Sequence, residues 1–389
     1  MKLSHFRRSI KIRDNVDEHR QATWLELFLD LGYVVAVSSL SHIFKEGFSG
    51  QTIVEYSVFF FLIFWIWNRF TWYASFYDND DVAYRFSYLI SLFPVLGLIN
   101  SFDAVLKGDF FYATIYYILC NCILIYLWSR VLRRANEYRK NARTFLTGYS
   151  ISTLVLIASL FLNPGIKPYF FILAVCIEII SPILGWSVTK GRIPVHTGHI
   201  VERHGLFNII LLGEGILSIF KNYEMLYTNH WYVLVLSFIV VISLWWIYFD
   251  CGFGFRTNLS KNIRRVFTFG YGQFFIYLSL LFVFMALEFG LHQFHYNLKS
   301  EINPIMLAGI ATGVFILALT GIQLSISTYN PKRVYIPRTI FGILLILLSL
   351  LMEEKVVLLI SIASVLVIIL INEIKSWTYY KVHIIEKQD

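Results

Sequence analysis

Residues 340–351 read IFGILLILLSLL, a run of apolar residues that one polar side chain, Ser349, interrupts. A membrane-spanning β-strand alternates between lipid-facing and interior side chains, and this run shows no such alternation. A bilayer core offers no water to backbone polar groups, so a lipid-exposed segment crosses it as a helix or within a closed barrel. The run therefore predicts a membrane-spanning α-helix, and similar runs along the chain predict an all-α fold.

Apolar stretches of comparable length recur throughout the 389 residues, of which 57% are hydrophobic and only 15% are charged. A helix of about 20 residues covers a hydrocarbon core of ~30 Å. We predict about twelve spans, at residues 24–44, 52–76, 84–105, 110–130, 145–163, 168–189, 204–221, 231–250, 267–289, 304–328, 336–352 and 355–375. The sequence thus indicates a polytopic transmembrane helical bundle and excludes soluble, fibrous and disordered classes.

Lys and Arg are distributed unequally over the connections. If the N-terminus is inside, the inside segments hold 26 of these residues and the outside connections hold six. Because basic residues are retained on the cytoplasmic side, we expect a basic cytoplasmic N-terminus (1–20) and a cytoplasmic C-terminus. The formal charge of +8 then reflects topology and anionic inner-leaflet lipids, which are the expected partners, and not nucleic acid.

A faint internal repeat with an offset of 179 residues relates the two parts of the chain. The matching positions are Leu27-Phe28 with Leu206-Phe207, Trp67 with Trp246, and Arg85 with Arg264. We therefore expect two parallel six-span halves, 1–189 and 190–389, as in transporters that are built from parallel repeats. Chance agreement between spans of similar composition is the alternative.

Two acidic residues four positions apart, Glu26 and Asp30, share one face of the first predicted span. Asp30 lies roughly 10 Å inside the apolar layer, where an ionised carboxylate is stable only when it is paired, hydrated or protonated. One interpretation makes Asp30 a structural ion-pair partner and Glu26 an interfacial residue. The other makes them proton- or cation-binding carboxylates that face an internal cavity.

Arg69 is the only basic residue that we place inside a predicted span. It lies at about the depth of Asp30, and a short connection makes the first two spans neighbours, so we predict an Asp30–Arg69 ion pair. The alternative is that the Arg69 side chain snorkels to the inner lipid phosphates. We expect the nearby Trp65 and Trp67 in an interfacial belt or in a cavity lining.

Two further carboxylates lie near the middle of predicted spans. Glu214 stands between Gly213 and Gly215, and glycines permit close approach of a backbone or a ligand. Glu214 is therefore the leading candidate for binding a proton, an ion or a substrate, with a buried structural acid as the alternative. Glu178 has no glycine neighbours, and for it we favour a structural role over a functional one.

The densest polar cluster precedes the seventh span and contains His199, Glu202, Arg203 and His204. A zinc-binding helix of the His-Glu-x-x-His type needs histidines four positions apart beside an acid, and that spacing is absent. We expect no metal and, because phosphate loops and catalytic triads are also missing, no cofactor. The expected structure is an amphipathic turn at the head groups, with Arg203 on a lipid phosphate.

Two long signatures carry a family resemblance. They are TWLELFLDL (23–31), followed by Ala36-Val37-Ser38 and His42, and HIVERHGLFNIILLGE (199–214), together with the Trp-rich end of the second span and LWWIYFD (244–250). In these the chain resembles the bacterial low temperature requirement protein A family over nearly its whole length. It departs from the family pattern at His204, where an aromatic residue is more usual, and at Gly215, where serine is common. The resemblance implies a polytopic protein of the bacterial cytoplasmic membrane that is associated with growth in the cold, and it implies no particular substrate.

Several functional classes remain open. Intramembrane charges in two halves favour a secondary transporter or lipid-handling translocator, coupled to protons or small ions, in which Asp30, Arg69 and Glu214 converge. The alternatives are an intramembrane enzyme that acts on lipid head groups with His199, Glu202 and Arg203, a channel, or an accessory protein. A midplane cavity would favour transport, whereas a sideways groove near the inner leaflet would favour lipid chemistry.

Overall fold

The computed structural model describes residues 11–12, 22–44, 47–78, 81–134, 139–188, 196–249, 263–296, 300–326 and 332–380. The α-helices within these ranges are α1 (Trp24–Ser39), α2 (Gly50–Phe76), α3 (Val82–Asn100), α4 (Phe102–Leu106), α5 (Phe111–Arg134), α6 (Arg139–Leu160), α7 (Lys167–Val188), α8 (Thr197–Phe220), α9 (Trp231–Phe249), α10 (Ile263–Tyr296), α11 (Pro304–Ile326), α12 (Lys332–Leu351) and α13 (Lys355–Tyr380).

Short elements complete the described chain. There are 3-10 helices at Leu40–Phe44, Pro164–Ile166 and Tyr223–Tyr227, and strand β1 (Lys11–Ile12) pairs antiparallel with strand β2 (Tyr77–Asp78). Apart from β1, the basic N-terminal segment lies outside the described residues.

Among the described residues, twelve helical segments are long and apolar enough to cross a membrane, and α3 and α4 together form one of them. This confirms the predicted all-α, polytopic helical fold and its number of spans. The last two predicted spans are the separate helices α12 and α13. The cytoplasmic location of the termini stays a prediction.

The chain divides into two compact units. Unit one consists of Met1–Leu40 and Phe59–Arg203, and unit two of Ser41–Val58 and His204–Asp389. Helices α2 and α8 therefore contribute residues to both units. This division is not the predicted one at residue 189, and the duplication of two six-span halves stays a prediction.

In unit one, small residues bring helices into close contact. Helix α6 packs against α5 and α7, and α3 packs against α1 and α5. A β-carbon on Gly148 of α6 would lie 1.8 Å from the Ser181 hydroxyl of α7, so only glycine fits there. Close approach of this kind brings polar side chains from different helices within hydrogen-bonding distance of one another.

Unit two is organised around α10 and α11, which pack against each other, with α12 against α11 and α13 against α9. The segment before α2 belongs to this unit because its backbone is tied to the start of α11. The Phe48 amide donates to the Ser300 hydroxyl at 2.8 Å, and the Phe48 carbonyl accepts from the Ile302 amide at 2.9 Å.

Candidate functional site

Helix α1 begins at a capping box that also orients the first predicted carboxylate. The Thr23 hydroxyl accepts a hydrogen bond from the Glu26 amide at 3.3 Å, and Glu26 Oε2 accepts from the Thr23 amide at 2.8 Å. This reciprocal cap satisfies two backbone donors at the helix start. Asp30 follows one turn later on the same face, and both carboxylates are fully buried. The depth of Glu26 in a membrane stays a prediction.

Arg203 of α8 is shared by these two carboxylates. Its Nε and Nη2 donate to Asp30 Oδ2 at 3.0 Å and to Oδ1 at 2.6 Å, and its Nη1 lies 3.4 Å from Glu26 Oε1. Trp67 Nε1 also donates to Asp30 Oδ1, at 2.7 Å. Two parallel, charge-assisted hydrogen bonds form the strongest geometry for an arginine–carboxylate pair. We call Glu26, Asp30, His199 and Arg203 the Asp30 cluster.

His199 joins the cluster through both of its ring nitrogens. Nδ1 lies 2.9 Å from the Ser75 hydroxyl, and Nε2 lies 3.4 Å from Glu26 Oε2. The Ser75 hydroxyl also lies 2.8 Å from the Thr71 carbonyl, so its one proton goes either to that carbonyl or to His199 Nδ1. The contact between His199 Nε2 and Glu26 Oε2 is a hydrogen bond when a proton lies on Nε2 or on the Glu26 carboxyl group.

The expected head-group cluster before the seventh span is thus partly wrong. Arg203 does not reach a lipid phosphate, because its side chain is buried against two carboxylates. His199 is likewise buried, whereas Glu202 is half-buried and accepts a hydrogen bond from the Ala22 amide at 3.0 Å. His204 belongs to unit two.

His204 packs as an aromatic residue would. Its ring is stacked on Tyr277, with ring centroids 6.0 Å apart and an interplanar angle of 27°, and it lies edge-on to Phe269 at 5.3 Å. Its Nδ1 is also 2.9 Å from the Tyr277 hydroxyl, which donates to the His204 carbonyl at 2.8 Å. This arrangement explains how histidine can stand where an aromatic residue is more usual.

The predicted Asp30–Arg69 ion pair is wrong. Arg69 Nη1 donates to Glu178 Oε2 at 2.6 Å and to Asn121 Oδ1 at 2.7 Å. Its side chain is 2% exposed, so it does not snorkel to lipid either. Trp67 and Arg69 are two positions apart on α2, about 200° around the helix, and the face that meets Asp30 carries Trp67.

Glu178 of α7 is the centre of a second buried polar group, which we call the Glu178 cluster. Its Oε2 accepts hydrogen bonds from Trp65 at 3.2 Å, Arg69 at 2.6 Å and Tyr117 at 2.7 Å, and its Oε1 accepts from Asn121 and Ser152 at 2.6 Å each. A carboxylate offers about four lone-pair sites, so these five donors saturate it. The geometry is that of a structural anchor between four helices.

Sequence reasoning missed the neutral members of both clusters and two further buried arginines. In unit one, Arg130 pairs with Asp81, which also caps the start of α3. In unit two, Arg338 pairs with Glu373 at 2.6 Å and donates to Gln323. Arg69 is therefore not the only basic residue within a span. The signal was present for the second pair, since Arg338 and Glu373 both fall inside predicted spans.

Glu214 lies in unit two and is half-buried. Within the part of the chain that the structure describes, no hydrogen bond or ion pair involves its side chain. Its two glycine neighbours differ: a β-carbon on Gly215 would lie 2.6 Å from Phe284, whereas one on Gly213 would meet nothing within 4 Å. Close packing therefore requires only Gly215, and an ion- or substrate-binding role for Glu214 stays a prediction.

Comparison with known proteins gives two findings. A sequence profile described as bacterial low temperature requirement A protein (LtrA) matches residues 21–373. The chain is also 27% identical to an uncharacterized protein of Rhizobium meliloti (strain 1021) over 301 residues, which are 72% of this chain and 71% of that relative. The residues matched by the profile include all members of the Asp30 and Glu178 clusters.

Proposed function

The chain belongs to the family of bacterial low temperature requirement A proteins, and we propose that it is a proton-coupled secondary transporter whose proton site is the Asp30 cluster. One observation carries this proposal: a buried histidine, His199, and a buried carboxylate, Glu26, face each other at 3.4 Å beside Arg203. A buried histidine–carboxylate pair that can take up and release a proton is a component that proton-coupled transport needs.

The surroundings of that proton are suited to its gain and loss. Arg203 and Asp30 face it from α8 and α1, the Tyr84 hydroxyl of α3 lies 3.5 Å from Glu26 Oε1, and His196 accepts a hydrogen bond from the His199 amide at 3.0 Å. Histidine is the side chain whose charge changes most readily near neutral pH. A proton bound by His199 or Glu26 neutralises part of the negative charge of the cluster. The electrostatic attraction between Arg203 and the two carboxylates then becomes weaker.

Ionisable groups within membrane spans are costly, and they generally mark the paths of protons, ions or substrates. Glu26, Asp30 and Arg203 are all buried within helices that are apolar enough to span a bilayer. A purely structural ion pair would need only one carboxylate for one guanidinium. The cluster also contains a second carboxylate and a histidine, and a role in proton transport explains why both are present.

A lipid-handling translocator is the second candidate, and a groove between α3 and α5 favours it. The groove has a volume of about 820 Å³ and is lined mainly by apolar residues, including Phe86, Phe93 and Leu119. An acyl chain fits such a lining. None of the residues that line it is charged, so the groove itself offers no site for a lipid phosphate, and we rank this candidate lower.

The test is proton movement in proteoliposomes that contain a trapped pH-sensitive dye. With an imposed pH gradient, addition of a membrane-impermeant solute should accelerate the collapse of the gradient in wild-type proteoliposomes and not in protein-free liposomes. His199→Gln should abolish this acceleration, because the amide cannot exchange a proton at that position. His230→Gln, a change of an exposed histidine in unit two, is the matched control and should behave as the wild type.

Two results would count against the proposal. One is wild-type protein that moves no protons with any solute of a broad panel. The other is a His199→Gln variant that retains full proton flux while the protein is folded and inserted.

A further inference from the structure

Arg69 has hydrogen-bonding capacity that the Glu178 cluster does not use. Both of its bonds come from Nη1, while Nε and Nη2 are buried and have no partner among the described residues. An unpaired buried donor costs about 1–3 kcal/mol, and more when it is part of a charged group. These two nitrogens form one side of the guanidinium plane, the side that offers two parallel N–H groups.

Arg203 shows which group binds to that side of a guanidinium elsewhere in this protein. There the same two nitrogens, Nε and Nη2, hold both oxygens of Asp30. Arg203 serves two carboxylates, Glu26 and Asp30, whereas Arg69 serves only Glu178. A second carboxylate on Arg69 would reproduce the composition that the protein already stabilises around Arg203.

The ion pair with Glu178 leaves the Arg69 guanidinium able to attract a second anion. Besides Arg69, the carboxylate of Glu178 accepts hydrogen bonds from four neutral donors, which spread its negative charge. The rings of Tyr117 and Tyr149 lie 5.1 Å and 5.5 Å from the guanidinium carbon and form apolar walls. Low polarity around the free side of the guanidinium strengthens its attraction for an anion.

A third donor lies close by. The Tyr33 hydroxyl of α1 is buried, has no hydrogen-bond partner among the described residues, and lies within electrostatic range of Arg69. The neighbouring Ser91 hydroxyl on α3 donates its proton to the Tyr88 carbonyl at 2.6 Å, so toward Tyr33 it can act only as an acceptor. Two unpaired groups from different helices thus share one neighbourhood.

We propose that Arg69 Nε and Nη2, together with the Tyr33 hydroxyl, bind the carboxylate group of a small organic acid. The planar pair of N–H groups matches the two oxygens of a carboxylate, which a spherical anion cannot do. Glu178 stands near the middle of α7, so the site is at the depth at which transporters commonly hold their substrates. Binding does not depend on the proposed transport; only the identification of the bound acid as the cargo rests on it.

Binding is measured by titration calorimetry on purified protein in nanodiscs, without any gradient. Formate, acetate and propionate are compared with formamide, acetamide, propionamide and chloride. We expect saturable binding of the carboxylates and none of the amides. Arg69→Lys keeps the charge but removes the paired donors, and it should weaken carboxylate binding at least about tenfold.

Tyr33→Phe provides a second variant that does not disturb the Glu178 ion pair. It should weaken carboxylate binding about threefold or more through loss of one neutral hydrogen bond. Tyr56→Phe is its matched control, because Tyr56 is also buried, also has an unpaired hydroxyl, and lies 13 positions away on α2, roughly 20 Å from Arg69. Its affinity should equal that of the wild type.

If Arg69→Lys does not fold, the comparison of the two tyrosine variants decides. The proposal is overturned if the wild type binds no carboxylate, or if it binds the amides or chloride as tightly. It is also overturned if Tyr33→Phe has wild-type affinity, or if Tyr56→Phe loses as much. Because proton flux plays no part here, failure of this site and failure of the proposed function give different results.

Discussion

Asp30 and Arg203 should be strongly coupled in their contributions to stability, and Asp30 and Arg69 should not. The perturbation is a double-mutant cycle in which Asp30→Asn and Arg203→Gln are made singly and together. Removing one partner of a buried ion pair leaves the other charge uncompensated, whereas removing both avoids that penalty. The double variant should therefore lose less stability than the sum of the single losses.

The structure sets the size of the effect. Arg203 and Asp30 share two charge-assisted hydrogen bonds, at 2.6 Å and 3.0 Å, each worth about 1.5–3 kcal/mol. Breaking a buried pair from one side costs about 3–5 kcal/mol. Asp30→Asn should lie near the lower value, because Arg203 keeps Glu26 at 3.4 Å. We expect a coupling free energy of about 2–3 kcal/mol, at the upper end of the range for residues in contact.

The assay is the free energy of unfolding in mixed micelles, titrated with sodium dodecyl sulfate and followed by tryptophan fluorescence. The same cycle with Arg69→Gln in place of Arg203→Gln is the control, and it should be additive within about 0.5 kcal/mol. Additive losses for Asp30 and Arg203, or equal coupling in the control cycle, would refute the assignment of partners.

Three further predictions concern other parts of the chain. Glu178→Gln should cost about 3–5 kcal/mol in the same unfolding assay because it leaves a buried arginine unpaired, whereas Glu214→Gln should change stability by less than about 0.5 kcal/mol; equal losses would contradict this. Gly215→Ala should cost about 1–3 kcal/mol because its β-carbon would lie 2.6 Å from a phenylalanine ring, and Gly213→Ala should be neutral or stabilising by up to about 1 kcal/mol; the opposite order would be inconsistent with the packing. Lys107→Cys should react in intact cells with a maleimide that does not cross membranes, and labelling only after permeabilisation would reverse the predicted topology.

The twelve spans were predictable because a membrane helix is encoded locally. Length and apolar composition are enough to identify it, and each predicted span overlaps one that the structure describes. The pair Glu26 and Asp30 was also predictable as two residues on one face, because the spacing of four fixes that relation within a single helix.

The partners of the buried charges could not be predicted in the same way. Arg203 and Asp30 are 173 positions apart, and Arg69 and Glu178 are 109 apart. The inference that the first two spans are neighbours was correct, since Trp67 of α2 reaches Asp30 of α1. The error arose because neighbourhood of two helices does not specify which faces meet, and apolar residues on every side of α2 hide its orientation.

Helix α2 holds Trp67 against Asp30 with one side and Arg69 against Glu178 with the other. The two side chains project from nearly opposite sides of the same helix. A rotation of α2 about its axis would therefore move Trp67 and Arg69 at the same time. If the Asp30 cluster binds a proton and Arg69 binds a carboxylate, as proposed, such a rotation would couple the two binding events through the helix backbone.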